Sequence, residues 1–136
     1  MITPEDLNKH GSPYLPGHMG IVLTRIHGAE VTAELAVEKH LMAPNEFLHA
    51  GTVVTLADTC SGYGCITNLP ETATGFTTIE LKSNFLGTAR EGMIQCTARA
   101  VHQGKQTQIW DAEITHKETG KKIALFRCTQ MILYPK

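Results

Sequence analysis

The sequence predicts an α+β fold, in which an antiparallel β-sheet of about six strands wraps around one central helix. Two runs rich in β-branched residues come early in the chain, and longer alternating runs fill its second half. Between them lies one apolar segment that does not alternate. With 136 residues, 42% of them hydrophobic and 18% charged, the chain has the size and composition of a single domain, residues 1–136.

The first predicted element is a short helix over about residues 3–9. Thr3 offers a hydroxyl cap, Pro4 suits the first helical position, and acidic residues follow in the first turn. Gly11 and Pro13 are expected to end the helix. The stretch "SPYLPGHMG" is predicted to be a loop, because prolines and glycines punctuate it. Residues 1–15 therefore form an N-terminal helix and loop.

A β-hairpin and the central helix are predicted next. The runs "GIVLTRIHG" and "AEVTAELAV" form the hairpin and meet at Gly28. Residues 38–48 have no clean period and are expected to be irregular, with a short helical turn. Residues 50–66 are predicted to be helical, although Gly62 and Gly64 each cost up to ~1 kcal/mol relative to alanine. Tight packing must then hold this helix, and its small residues would let a sheet approach closely.

The second half of the chain is predicted to be almost entirely strand. The alternating runs are "GFTTIELKSNFL", "GMIQCTARAVHQG", "QTQIWDAEITHKETG" and "KKIALFRCTQMILY". The joins "GTAREG", "HQGK" and "KETGK" are short and rich in turn residues. Consecutive strands with short joins predict an antiparallel meander.

Composition excludes several classes of function. The formal net charge of −1 gives no general attraction to nucleic acid or to anionic membranes. No segment approaches the ~18 apolar residues of a membrane span, and no signal-peptide pattern is present, so a cytoplasmic protein is expected. The cysteines lack C-x-x-C spacing and are expected to be reduced and mostly buried. The histidines form no H-x-x-x-H pair, which predicts no metal site.

An acidic residue interrupts the apolar helix: in "FLHAGTVVTLADTCSGYG", Asp58 lies nine residues after His49. This segment resembles the "HGG…LaD" segment of hotdog-fold acyl-CoA thioesterases, of the PaaI or 4-hydroxybenzoyl-CoA thioesterase type. "TTIELKSNFLGTAREG" and "GKQTQIWDAEI" resemble strands that follow in that family. The resemblance implies a hotdog fold, a homodimer or a tetramer made of two dimers, an acyl-CoA substrate, and no metal or redox cofactor.

The start of the central helix and Asp58 have a physical basis for thioester chemistry. Free backbone N–H groups and the positive end of the helix dipole lie at residues 49–51, where they would stabilise an oxyanion. Alignment with the family assigns the donor to the Ala50 N–H, with Gly51 allowing close approach. Asp58 would act as nucleophile or as general base, and the sequence leaves both routes open. About 12 Å of helix separates Ala50 from Asp58, which fits the arrangement that the resemblance implies, with each active site shared between two subunits.

Other residues carry roles that the resemblance implies. Thr78, with Thr77 as second choice, corresponds to a hydroxyl beside the acid. The family often has Asn or Gln six residues before the histidine, where this chain has Ala43; Asn45 fills that role only if the loop differs. His49 is alternatively a structural residue that fixes the loop. Basic candidates for the CoA phosphates are Lys82, Arg90, Gly104 with Lys105, and the pair Lys121 and Lys122.

The sequence therefore predicts a hydrolase that cleaves an acyl-CoA to the free acid and CoA. Tyr63, Phe76 and Phe85 are candidates to line the acyl pocket, and the class of acyl group stays open. One alternative is a non-catalytic hotdog module that binds acyl-CoA, although such a module would not need Asp58. A second is a hotdog hydratase or dehydratase, whose "HFPxxPxxPG" or "HxD" motif is absent.

Overall fold

The computed structural model describes all 136 residues and contains one six-stranded antiparallel sheet packed around a long helix. The helices are α1 (Pro4–Gly11), α2 (Leu15–Met19) and α3 (Ala50–Thr67), with a 3₁₀ turn at Lys39–Leu41. The strands are β1 (Val22–His27), β2 (Glu30–Ala36), β3 (Gly75–Phe85), β4 (Met93–Gln103), β5 (Thr107–His116) and β6 (Lys122–Leu133). This architecture confirms the predicted hotdog fold. No helix has both the length and the apolar character needed to cross a membrane.

The N-terminal segment contains one more helix than the sequence predicts. Helix α1 begins as expected: the Thr3 hydroxyl accepts from the Asp6 N–H at 3.1 Å, and the Asp6 carboxylate accepts from the Thr3 N–H at 2.9 Å. The predicted loop "SPYLPGHMG" is wrong in part, because α2 occupies its centre. Pro16 lies in the first turn of α2, where no N–H bond is lost, and Gly20 ends the helix at φ 86°. Proline and glycine here mark the ends of a helix.

The hairpin and the irregular lead-in are confirmed. Strands β1 and β2 pair in antiparallel fashion, and Gly28 takes a left-handed conformation with φ 60° between them. The 3₁₀ turn is the short helical turn expected within residues 38–48.

The predicted four-strand meander is wrong in its first step. The strand order is β1-β2-β4-β5-β6-β3, so β3 pairs with β6 at the far edge while β4 joins β2. Residues 86–92, between β3 and β4, can extend about 23 Å at ~3.3 Å per residue. That length is enough to cross the ~14 Å between strands three places apart at ~4.8 Å each. The segment "GTAREG" is therefore a crossing connection, and a turn-rich composition did not distinguish it from a hairpin loop.

Helix α3 packs closely on the sheet through small residues. Leu56, Ala57 and Cys60 are fully buried against it. A Cβ added at Gly64 would lie 2.5 Å from ring carbons of the buried Trp110. The sequence expectation of a helix held by tight packing is thus confirmed. The four cysteines are free and buried, also as expected.

We predict that Gly64→Ala destabilises the fold even though alanine is the better helix former. The buried Trp110 ring has no room to move, so we expect a loss of about 1–3 kcal/mol in the free energy of unfolding. Gly62→Ala is the matched control, because its Cβ would meet the tip of the half-buried Phe76 ring at 2.9 Å, and that ring can shift. Denaturant unfolding of both variants provides the measurement. Equal stabilities would contradict this packing account.

Candidate active site

The start of α3 leaves one backbone amide without an acceptor. His49 caps the helix, and its Nδ1 accepts from the Gly51 N–H at 2.7 Å, which places the ring proton on Nε2. The N–H groups of Thr52 and Val53 donate to the His49 carbonyl at 2.9 and 3.2 Å. The Ala50 N–H is the first-turn donor that has no acceptor in the protein. His49 thus caps the helix, which is the structural alternative that the sequence left open for this residue. The free N–H of Ala50 lies next to it in the chain.

A cavity of about 640 Å³ lies at the start of α3, and Ala50 is one of its lining residues. Its apolar walls come from Phe47, Val53, Phe85 and Leu86, and the crossing segment adds Gly87 and Thr88. Phe85 therefore lines a cavity, and its role in binding an acyl group stays a prediction. Phe76 instead packs on Gly62, and Tyr63 is not part of the cavity wall. The cavity walls are mainly apolar, and Ala50, whose N–H has no acceptor, is one of the lining residues.

The loop before α3 brings Asn45 to the wall of this cavity. The Ala43 N–H donates to the Phe47 carbonyl at 2.8 Å, and the Glu46 N–H donates to the Ala43 carbonyl at 2.9 Å. Glu46 has φ 69°, a strained value for a residue with a side chain. The Asn45 Oδ1 accepts from the Phe47 N–H at 3.1 Å. This tight turn is the kind of altered loop that a role for Asn45 requires, and that role stays a prediction.

Asp58 lies half-buried on α3, facing strand β3. The Thr78 hydroxyl is 3.0 Å from its Oδ1, whereas Thr77 is exposed and has no contact with it. Burial raises the pKa of Asp58 above its ordinary value of 3.8, and the Thr78 hydrogen bond opposes that rise. No ion pair involves Asp58. A carboxylate with a raised pKa is a stronger base and a stronger nucleophile than an exposed one.

Ala50 and Asp58 do not converge within one chain. They lie on the same helix, and eight residues at 1.5 Å each separate them by about 12 Å. Asp58 is not among the residues that line the cavity at Ala50. One carbonyl group cannot contact both from a single subunit.

The basic candidates lie in different places. Arg90 stacks its guanidinium 5.1 Å from the centre of the Phe47 ring and shares a second cavity of about 660 Å³ with Lys39. Lys121 lines the cavity at Ala50. Lys82 lies on the outer face of the sheet, in a groove with Arg127 that contains no residue of α3. Gly104 and Lys105 form the turn after β4, at the opposite end of the sheet from Ala50, where the Tyr134 hydroxyl donates to the Lys105 carbonyl.

Sequence reasoning missed two residues near the site. Gln130 is fully buried and contacts Thr78, and Lys39 joins Arg90 at the second cavity. The sequence contained a signal for Gln130, because it lies two residues from both Cys128 and Ile132 and therefore shares their inward-facing side of β6. A polar residue in an inward register predicts a buried hydrogen-bond partner. Lys39 had no such signal, because it lies in a segment without a period.

We predict that Asp58→Asn stabilises the protein at neutral pH. A raised folded-state pKa favours the neutral carboxyl group, so ionised Asp58 costs stability once the pH has risen through that pKa. Asparagine stays neutral and still accepts from Thr78. The melting temperature at pH 7 should therefore rise, and the gain should shrink as the pH falls towards 3.8.

Asp111→Asn is the control for this prediction, since Asp111 is exposed and paired with Arg127, and its loss should give no gain. A lower melting temperature for Asp58→Asn at pH 7 would show that the carboxylate is a stabilising group.

Comparison with known proteins gives the family. The thioesterase superfamily profile matches residues 45–123. The chain is 31% identical to a 1,4-dihydroxy-2-naphthoyl-CoA hydrolase from Listeria monocytogenes over 82% of this chain and 89% of that protein. It is 30% identical to a protein of the same name from Escherichia coli K12, over 97% and 96% of the two chains.

Solved structures agree with this assignment. The fold superimposes on a thioesterase from Haemophilus influenzae with a TM-score of 0.92 and 25% identity, over 98% of this chain and 92% of that one. The profile includes the capped helix start, the acid on α3 and the strand that carries Thr78. The chain belongs to the thioesterase superfamily and has its hotdog fold.

Proposed function

We propose that this protein hydrolyses the thioester bond of an acyl-CoA in active sites shared by two subunits. The Ala50 N–H of one subunit binds the thioester oxygen, and Asp58 of the other activates the attack. One observation carries the proposal: Ala50, whose N–H has no acceptor, lines an apolar cavity, while the only acid on the same helix lies about 12 Å away. Membership in the thioesterase superfamily supports the reaction class.

The outer edge of β3 supports a homodimer. This strand pairs only with β6, so its other edge has a row of unpaired backbone groups. Ile79, Leu81 and Phe85 are 51%, 41% and 47% exposed along it. A second copy that pairs with this edge would cover both the backbone groups and the apolar side chains.

The two-fold symmetry of such a pairing also explains how the site is completed. Ala50 lies near the Phe85 end of β3, because both line one cavity, and Asp58 lies near the other end, beside Thr78. Antiparallel pairing of two β3 strands sets the Phe85 end of one against the Gly75 end of the other. Each free amide then faces the partner's acid. A tetramer made of two such dimers keeps this arrangement.

The chemistry follows from these groups. In one route Asp58 takes a proton from water, which adds to the carbonyl carbon, and the Ala50 N–H stabilises the oxyanion. The C–S bond then breaks, and Asp58 returns the proton to the CoA sulfur. In the other route the Asp58 carboxylate attacks, CoA leaves as a thiolate, and water hydrolyses the mixed anhydride. Both routes give the free acid and CoA, and both need the same two groups.

An aromatic acyl group is the substrate class that we propose first. Two relatives are named for a hydrolase of 1,4-dihydroxy-2-naphthoyl-CoA, a bicyclic aromatic thioester. The cavity at Ala50 presents the rings of Phe47 and Phe85, which favour stacking on a planar acyl group. Lys121 lines this cavity and Arg90 and Lys39 line a second one, and these are the positive charges that we propose for the CoA phosphates.

We predict that Asp58→Asn loses at least ~100-fold in kcat for thioester cleavage, the usual effect of deleting a general base. The measurement is free-thiol release from aryl, short, medium and long acyl-CoA esters, with aryl esters expected to react fastest. Thr77→Val is the matched control, because Thr77 lies on the same strand but faces away from Asp58. CoA release by Asp58→Asn at the wild-type rate would exclude catalysis by this acid and favour the binding module.

We also predict that Ala50→Pro abolishes activity without harming the fold. Proline is favoured at the first helical position, its missing N–H breaks no bond here, and His49 at ψ 135° already has the conformation required before proline. Loss of one oxyanion donor should lower kcat by about 100-fold or more. Ala50→Ser, which keeps the N–H, should stay active. An active Ala50→Pro enzyme with a normal melting temperature would remove the amide from the mechanism.

A further inference from the structure

We propose that Gln130 is a positioning residue that keeps the Thr78 hydroxyl engaged with Asp58 in both protonation states of the acid, by turning its side-chain amide between Thr78 and Cys128. The inference rests on the proposed function, and within it on the general-base route, in which Asp58 gains and loses a proton in each turnover. No covalent bond to hydrogen changes within Gln130 or Thr78. Only a hydroxyl and an amide rotate.

The geometry is a row of three contacts that leads from the core to the acid. Gln130 is fully buried on β6, with its Oε1 2.8 Å from the Thr78 hydroxyl oxygen. Its Nε2 lies 3.4 Å from the Cys128 sulfur. Thr78 in turn lies 3.0 Å from the Asp58 carboxyl oxygen. These are the only hydrogen bonds of the Gln130 amide.

The Thr78 hydroxyl has one proton but faces two oxygen acceptors in this arrangement. When Asp58 is protonated, the contacts are all satisfied: the carboxyl group donates to Thr78, Thr78 donates to Gln130, and Gln130 donates to Cys128. When Asp58 is ionised, the carboxylate must receive the Thr78 proton. The Gln130 oxygen would then face a hydroxyl oxygen with no proton between them.

Turning the amide by half a turn resolves this conflict. The two ends of an amide have nearly the same size, so its oxygen and nitrogen can exchange places in a tight site. Gln130 then donates to Thr78, Thr78 donates to the Asp58 carboxylate, and the Gln130 oxygen faces Cys128. A chain of hydrogen bonds that point towards the charge stabilises it in a low-dielectric interior.

Cys128 can serve either orientation. Burial raises the pKa of its thiol to about 12, so it stays neutral, and a thiol is both a weak donor and a weak acceptor. The negative charge of Asp58 also contributes to the raised pKa of Cys128. No ionisable group is a cause of the shift in the pKa of Asp58, which arises from burial and the Thr78 contact.

The neighbouring glutamine provides a contrast. Gln108 pairs with Gln130 across the β5–β6 ladder and is buried too. Its Oε1 accepts from the Trp110 indole N–H at 2.8 Å, and its Nε2 donates to the Asn68 carbonyl at 2.9 Å. An indole N–H only donates and a carbonyl only accepts, so the Gln108 amide has one orientation. Gln130, between a hydroxyl and a thiol, has two.

Nuclear magnetic resonance of the intact wild-type protein tests the inference. The side-chain amide signals of Gln130 should shift with pH at the same midpoint as the Asp58 carboxyl carbon, while those of Gln108 stay constant. Asp58→Asn and Thr78→Val should each abolish the Gln130 transition. Constant Gln130 signals while Asp58 titrates, or a transition that survives Thr78→Val, would overturn the inference.

Kinetics add a second test. Gln130→Met keeps the length of the side chain but has no amide, and we expect kcat to fall about tenfold with KM unchanged, as for loss of one hydrogen bond in the transition state. The double variant Thr78→Val/Gln130→Met should be no slower than the slower single variant, because both act through one hydroxyl. Multiplying effects would contradict this.

The two proposals can fail separately. Full activity in Gln130→Met, with Asp58→Asn inactive, would exclude only the proposed role of Gln130. Full activity in Asp58→Asn would exclude the proposed mechanism. The resonance experiment would still decide whether the orientation of the Gln130 amide changes with the protonation of Asp58.

Discussion

The close contact between α3 and the sheet determines most of the structure. Small residues on the inner face of the helix, above all Gly64 against Trp110, let the helix lie where a larger side chain would hold it away. The contact fixes both the depth and the rotation of α3. The two polar groups of the candidate site lie in separate places on this helix, one at its first turn and one along the side that faces β3. Ala50 occupies the first place and Asp58 the second.

The fixed position of α3 also keeps Ala50 and Asp58 apart within a single chain. A helix held along its length cannot bend to bring residues eight positions apart onto one carbonyl. His49 completes this division, since its ring takes the Gly51 N–H and leaves the Ala50 N–H free. The half-buried position of Asp58 raises its pKa, which costs stability once the group is ionised.

Periodicity and turn chemistry predicted much of the fold. The start of α1 at Thr3, the hairpin at Gly28 and the position of α3 in the chain could all be predicted, because each depends on residues close together in sequence. The position of β3 in the sheet could not be predicted. A strand at the sheet edge and a strand beside its neighbour in sequence show the same alternation of residues, and only the pairing of β3 with β6 distinguishes the two positions. The α2 helix was missed because its prolines and glycine are compatible with a loop as well as with helix ends.

The candidate site also contains residues that the sequence could predict and residues that it could not. A histidine before a helix and an acid within it stand out locally, and Thr78 follows from its strand. Gln130 is far away in sequence, so only pairing between β3 and β6 brings it to Thr78. The basic residues were the least predictable, since a lysine on a strand has the same pattern whether it faces the outer groove, as Lys82 does, or a cavity.

Mixing two inactive variants tests the shared site most directly. Ala50→Pro and Asp58→Asn dimers are unfolded together, refolded and assayed for CoA release, beside each variant treated alone. Half of randomly formed dimers are mixed and each has one intact site of two, so about a quarter of the wild-type activity should return. A mixture that stays as inactive as its parents, although mixed dimers are present, would contradict a site built from both subunits.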